Sequence, residues 1–215
     1  MDALPFAPRR FACESALALA KKLVEIAPAE LSKVLFTTGG SDAIEVALKI
    51  ARAATGRHKT ISFWDAFHGA GFGAASIGGE QFFRSHVISP LLSGTEHVAP
   101  FACYRCPYGY PDLNGEAQLE LCKTTCANFV RYVLEKEGDV AAVIAEPARA
   151  VPYLPPPGYW KMVRQACNDY GALLIFDEIP TGLGKTGKMF ACEHDSVVPD
   201  ILVLDLLMPE MNGFE

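Results

Sequence analysis

The sequence predicts an α/β fold of three layers, with a mostly parallel sheet flanked by helices. Two observations carry this. Short apolar runs such as Val140–Ala145 and Ala172–Phe176 are too continuous for strands with one wet face. They alternate with segments of helical apolar spacing, and strands separated by helices join in parallel. With 215 residues, 50% hydrophobic and 20% charged, the chain can bury one sizeable core.

Taken in order, Leu17, Leu19, Leu23, Val24 and Ile26 predict a helix over about 11–27, which Pro28 stops. Val34–Thr37 reads as a short strand. Ile44, Val46, Ala47, Leu48 and Ile50 predict a second helix ending near Gly56, with Ser41 or Asp42 as its N-cap. Thr60–Phe63 is a strand, followed by a glycine-rich stretch from Gly69 to Gly79. Residues 87–115 read as an irregular excursion rich in Pro, Gly, Tyr and Cys. Glu116–Glu137 reads as one helix and Val140–Ala145 as a buried strand. Pro155–Gly158 is a turn before a helix over about 159–170. Ala172–Phe176 is a buried strand ending at Asp177-Glu178, and Ile201–Leu204 is the last.

The formal net charge of -6 disfavours a nucleic-acid or anionic-membrane surface. No apolar run approaches the ~20 residues that span a bilayer. Met1–Pro5 lacks the layout of a signal peptide, so a cytoplasmic protein with free thiols is expected.

In parallel sheets, ligands bind beyond the carboxyl ends of the strands. Three groups of residues stand there. Gly39, Gly40 and Ser41 open a helix, whose free N–H groups and positive end suit a phosphate; a plain strand-to-helix turn is the alternative. Asp177 closes an apolar run, where a carboxylate can hold a protonated ring nitrogen, a cap or a structural ion pair. Phe67 of Phe67-His68-Gly69 can stack on a flat ring; the plainer reading is a core aromatic beside an exposed His68. Cys103, Cys106, Cys122 and Cys126 have zinc-like spacing. Against a metal, the second pair is expected on one helix, and cysteine is often a small buried apolar residue. Gly184-Lys185-Thr186 lacks the glycine a phosphate loop needs at position 179, which is Ile179.

Together these segments resemble the class III pyridoxal-phosphate aminotransferases, of the acetylornithine, ornithine and 4-aminobutyrate type. LFTTGGSDAIEVALKIARAATGR, FHG, AVIAEP, PPPGYWKMVRQACNDYGALLIFDEIPTGLGKTGKMFACEH and PDILVL carry the resemblance, from about residue 10 to 204. It implies the large domain of a fold type I enzyme and pyridoxal phosphate as cofactor. It also implies a small amino donor, a carbonyl acceptor and a homodimer. Gly40 and Ser41 would bind the cofactor phosphate, and His68 belongs to the same cofactor loop as Phe67. Phe67 and Ile179 would cover the two ring faces, and Asp177 would hold the pyridine nitrogen. Glu146 would sit beneath the site and orient Asp177 or its neighbours. Arg149 stands where many members carry Gln or another polar residue, a candidate substrate contact.

Two departures accompany the likeness. Where the family carries its Schiff-base lysine, this chain has Leu206, so an incomplete and inactive domain over 1–204 is expected. Residues 199–215 resemble the phosphoacceptor strand of receiver domains, with Asp205 as acceptor, and 205–215 reads as a receiver-like or adventitious tail. A lyase or decarboxylase of the same family and a phosphoacceptor signalling segment are the rival functions.

Overall fold

The apolar runs become the middle of a sheet. The computed structural model describes residues 13–28, 30–85, 89–112, 116–149 and 153–206. The chain divides into two units, Met1–Phe36 and Thr37–Glu215. In the first, α1 (Glu14–Ile26) ends where Ala27 N donates to Leu23 O, just before Pro28.

The second unit holds five parallel strands: β1 (Lys59–Phe63), β2 (Thr95–Val98), β3 (Val140–Ala145), β4 (Leu173–Asp177) and β5 (Ile201–Val203). Their order across the sheet is β2-β1-β3-β4-β5. Every residue of the central β3 is buried, which explains its unbroken apolar run. On one face, α2 (Gly40–Thr55) and α3 (Phe72–Ile77) bring Ile44, Ala47, Leu48, Ala74 and Ile77 against Ile144 and Ile175. On the other, α5 (Thr125–Glu137) and α6 (Tyr159–Tyr170) pack on the sheet beside an aromatic wedge. Trp160 lies edge-on to Phe176 at 4.8 Å and to Phe101 at 5.3 Å, and its indole N–H donates to Pro147 O at 2.8 Å. Burying each such ring stabilises by roughly 1.5–3 kcal/mol, provided the polar N–H finds an acceptor, as it does here. At the sheet's other end, the Arg57 guanidinium donates to Tyr170 O at 2.6 Å and Gly171 O at 3.2 Å, tying the end of α6 to the start of β1.

Several expectations are corrected. Residues 34–37 form no strand: a strand needs a ladder partner, and Leu35 and Phe36 are exposed. The excursion over 87–115 contains β2, an edge strand whose Thr-Glu-His-Val sequence buries only Val98 and so gives little apolar signal. The glycine-rich stretch contains α3. The helix expected over 116–137 is two, α4 (Glu116–Cys122) and α5, broken where Lys123 and Thr124 take φ values of 46° and 51°. The second helix starts at Gly40, ahead of both expected caps, with Gly39 at the N-cap. Among the described residues, no helix is long and apolar enough to cross a membrane.

Gly79 lies against the backbone of β1's end, where an added methyl would collide with the Phe63 carbonyl oxygen and Trp64. Gly79→Ala should destabilise the chain by about 1–3 kcal/mol, read as a lower urea midpoint.

Candidate functional site

β1 leads on to β2 on one side and β3 leads on to β4 on the other, so the connections leaving the adjacent strands β1 and β3 diverge. This strand order opens a crevice at the carboxyl ends of β1 and β3, where α/β sheets bind ligands. The loop after β1 brings Phe67 and His68 to that edge. The loop after β3 brings Glu146 and Arg149, and β4 ends in Asp177.

Asp177 is the best-determined group there. Its Oδ2 lies 2.8 Å from His68 Nδ1, and both side chains are buried. Its Oδ1 accepts from the Ile179 amide at 3.1 Å. A carboxylate only accepts, so Nδ1 carries the proton, and each carboxylate oxygen keeps a further lone pair. His68 Nε2 is buried without a hydrogen-bond partner. The plainer reading of Phe67-His68 is thereby inverted. His68 is the buried residue at 2% exposure, while Phe67 stands 41% exposed with its ring 4.5 Å from Phe83. The acid at 177 draws the imidazole inward, a partner 109 positions away that local sequence cannot reveal.

α2 aims its N-terminus at the same edge. Gly40 and Ser41 fill its first turn, where backbone N–H groups lack intrahelical acceptors. Asp42 Oδ2 accepts from Thr38 N at 3.2 Å and Thr38 Oγ1 at 3.1 Å, closing the entry turn. Ser41 Oγ accepts from Ala70 N at 3.0 Å, joining α2 to the loop after His68. Gly69 permits this approach: its φ is 125°, and any side chain would strike the Ser41 hydroxyl. A methyl at Gly40 would lie 3.0 Å from Ile179 Cδ1, so the helix start and the residues after Asp177 are neighbours. Glu146, 6% exposed, accepts from Phe67 N at 3.2 Å and so links β3 to the loop after β1.

A family model described as "Aminotransferase class-III" matches residues 2–208. The chain belongs to the class III aminotransferases. The match continues four residues past 204, the boundary expected for the domain. The chain is 40% identical over 212 residues to an (R)-1-hydroxy-2-aminoethylphosphonate ammonia-lyase of Vibrio splendidus, covering 95% of this chain and 44% of the lyase. It is 39% identical to a leucine/methionine racemase of Thermococcus litoralis, covering 87% and 42%. Among solved structures, a taurine:2-oxoglutarate aminotransferase of Bifidobacterium kashiwanohense in complex with PLP and glutamate superimposes with a TM-score of 0.86. The two are 33% identical, with coverage of 94% of this chain and 46% of that one. The chain thus spans under half the length of these relatives.

Class III aminotransferases use pyridoxal phosphate, and this edge has the chemistry to hold it. A buried carboxylate with free lone pairs suits a ring N–H, and the first turn of α2 suits a phosphate.

One organising residue escaped sequence reading. Glu178, 1% exposed, accepts from Ala191 N at 2.7 Å and Thr181 Oγ1 at 3.1 Å through Oε2, and from Cys192 N at 2.9 Å through Oε1. It fastens the long loop after β4 back onto the strand end. The available signal was a second acid beside Asp177, since a buried carboxylate demands donors. In that loop Lys185 donates to Ile179 O at 3.0 Å and Lys188 to Glu193 O at 2.9 Å.

The four cysteines of the zinc-like pattern do meet: Cys103, Cys106, Cys122 and Cys126 line one cavity of about 20 Å³. The helix break places Cys122 and Cys126 on different helices, unlike the expected single one. Among the described residues, no group of three or more His, Cys, Asp or Glu is arranged to hold a metal ion. Burial pushes the Cys126 thiol up to about 12 and raises Cys103.

Glu178→Gln must turn one amide N–H group toward a backbone donor. It should cost about 1–3 kcal/mol in urea unfolding and speed proteolysis between β4 and residue 190. Thiol reactivity follows the thiolate fraction. Hydrogen bonds from Ser15 hold Cys13 below the ordinary cysteine range, while burial raises Cys126 and Cys167 to about 12. Burial raises the Cys192 thiol as well, so at mildly alkaline pH peptide mass spectrometry should find Cys13 alkylated first and Cys126, Cys167 and Cys192 last.

Proposed function

We propose that this chain carries the cofactor platform of an enzyme that moves an amino group from a small amino donor to a keto or aldehyde acceptor. The buried Asp177–His68 pair, set beside the N-terminus of α2, is the observation that supports this reading. When bound, pyridoxal phosphate supplies an electron sink for bonds at the donor's amino carbon.

The residues divide the work of holding it. The Asp177 carboxylate would hold the ring nitrogen by a charge-assisted hydrogen bond, since a buried anion there favours the protonated ring. His68, through Nδ1–H, fixes the rotamer of Asp177 and stabilises its charge. The Gly40 and Ser41 amides receive the phosphate. Phe67 and Ile179 would cover the ring, and Glu146 fixes the loop at Phe67 by accepting from its backbone N–H. These roles follow the family likeness together with the positions described above.

Leu206 occupies the position where the likeness places the cofactor-linked lysine, so efficient turnover by this chain is not part of the proposal. The parent activity operates as a homodimer, and exposed Phe72, Phe82 and Leu154 offer apolar surface for such contacts. Ammonia-lyase chemistry on the same platform is the second reading, favoured by the 40% identity to the Vibrio splendidus lyase.

Titration with pyridoxal phosphate, followed by its visible absorbance, should show saturable binding. Asp177→Ala should weaken it roughly tenfold to a hundredfold, as loss of a charge-assisted hydrogen bond implies. Borohydride reduction of the complex should leave no lysine peptide selectively labelled. Unchanged affinity in Asp177→Ala would sink the proposed role of that acid.

A further inference from the structure

Arg149 is a buried cation with little to pair with. It follows β3 in the same loop as Glu146, at the crevice between the β1 and β3 ends. Its side chain is only 6% exposed. Its Nε and Nη1 atoms are buried and have no hydrogen-bond partner. Its ion pair with Asp65 spans 4.0 Å, and the Asp65 carboxylate is 63% exposed to water, which screens it. The Tyr153 ring lies 5.4 Å from the guanidinium carbon and offers only a partial charge.

A guanidinium keeps its charge in proteins, so burial costs free energy unless an anion answers it. The unmet donors lie on different edges of the planar guanidinium fork, Nε–H on the edge it shares with Nη2 and Nη1 on the far side, so each can give a charge-assisted hydrogen bond to an oxyanion. Asp65 is two residues before Phe67, which places this fork beside the loop assigned to the cofactor ring.

We propose that Arg149 is a specificity-determining residue, whose unanswered guanidinium binds the anionic group of the amine that the site accepts. The substrate class is an amine bearing a carboxylate or phosphonate-type oxyanion. This rests on the function proposed above, because it assigns Arg149 to the substrate side of that same site.

The test uses the whole chain saturated with pyridoxal phosphate. Methylphosphonate, propionate and neutral propanol are titrated separately by calorimetry. One or both anions should bind and propanol should not, and the tighter anion identifies the substrate's group. Arg149→Met should weaken anion binding about tenfold or more, leave the pyridoxal phosphate titration unchanged, and keep or raise the unliganded melting temperature. Arg149→Lys, which keeps the charge but loses the fork, should fold normally and bind the anions several-fold more weakly. Equal anion affinity in a folded variant, or no anion binding by the native chain, overturns the proposal. So does a loss in Arg149→Met confined to pyridoxal phosphate affinity, which would assign Arg149 to the cofactor. Failure of the native chain to bind pyridoxal phosphate instead sinks the proposed function. The anion titrations on the unloaded chain then still decide Arg149.

Discussion

A carboxylate at the end of a buried strand must be answered, and His68 answers it. Asp177 and His68 are 109 positions apart in sequence, yet their side chains meet at 2.8 Å in a water-poor edge of the sheet. Leaving such a charge unpaired costs several kcal/mol, so the pair constrains the loop after β1 and the end of β4 to one relation. The rest of the edge follows from that relation. The loop carrying His68 continues into Gly69 and Ala70, which close on Ser41, and Ile179 closes on Gly40. The start of α2 is thereby brought to the acid that a ligand would share with it.

Three acids stand at this edge and their donors divide their tasks. Glu178 takes backbone N–H groups from the 191–192 turn and is spent on architecture. Glu146 takes Phe67 N and sets a loop. Asp177 takes one amide and one imidazole, each through one lone pair, and keeps capacity for a further donor. The local field is therefore anionic at the strand ends and partly positive at the N-terminus of α2. A zwitterionic, flat, phosphorylated ring matches that division of charge.

Much of the fold was legible. The strands at 140–145 and 172–176 are continuous apolar runs, Thr60–Phe63 alternates polar and apolar residues, and the helices at 44–55 and 159–170 carry clear periodicity with glycine stops. The misses share one cause. The expected strand at 34–37 had the right residue types but no ladder partner, while Thr95–Val98 became a strand because β1 offered an open edge. The break at Lys123 and Thr124 lies inside an otherwise helical segment, and neither residue type announces a positive φ. Pairing is a property of neighbours in space, and propensity cannot supply it.

The site divides the same way. The sequence by itself determined the α/β class, the glycine-rich helix start at 39–41, and the acid that ends β4. These are local consequences of apolar runs, helix periodicity and strand termination. Only the tertiary structure decided that His68 turns inward, that Phe67 faces out, that Glu178 holds a loop, and that Arg149 is buried with open donors. Each of those outcomes depends on which polar groups face one another after the β1–β3 crevice forms. Hydrogen-bond partners that lie dozens of residues apart leave no pattern along the chain.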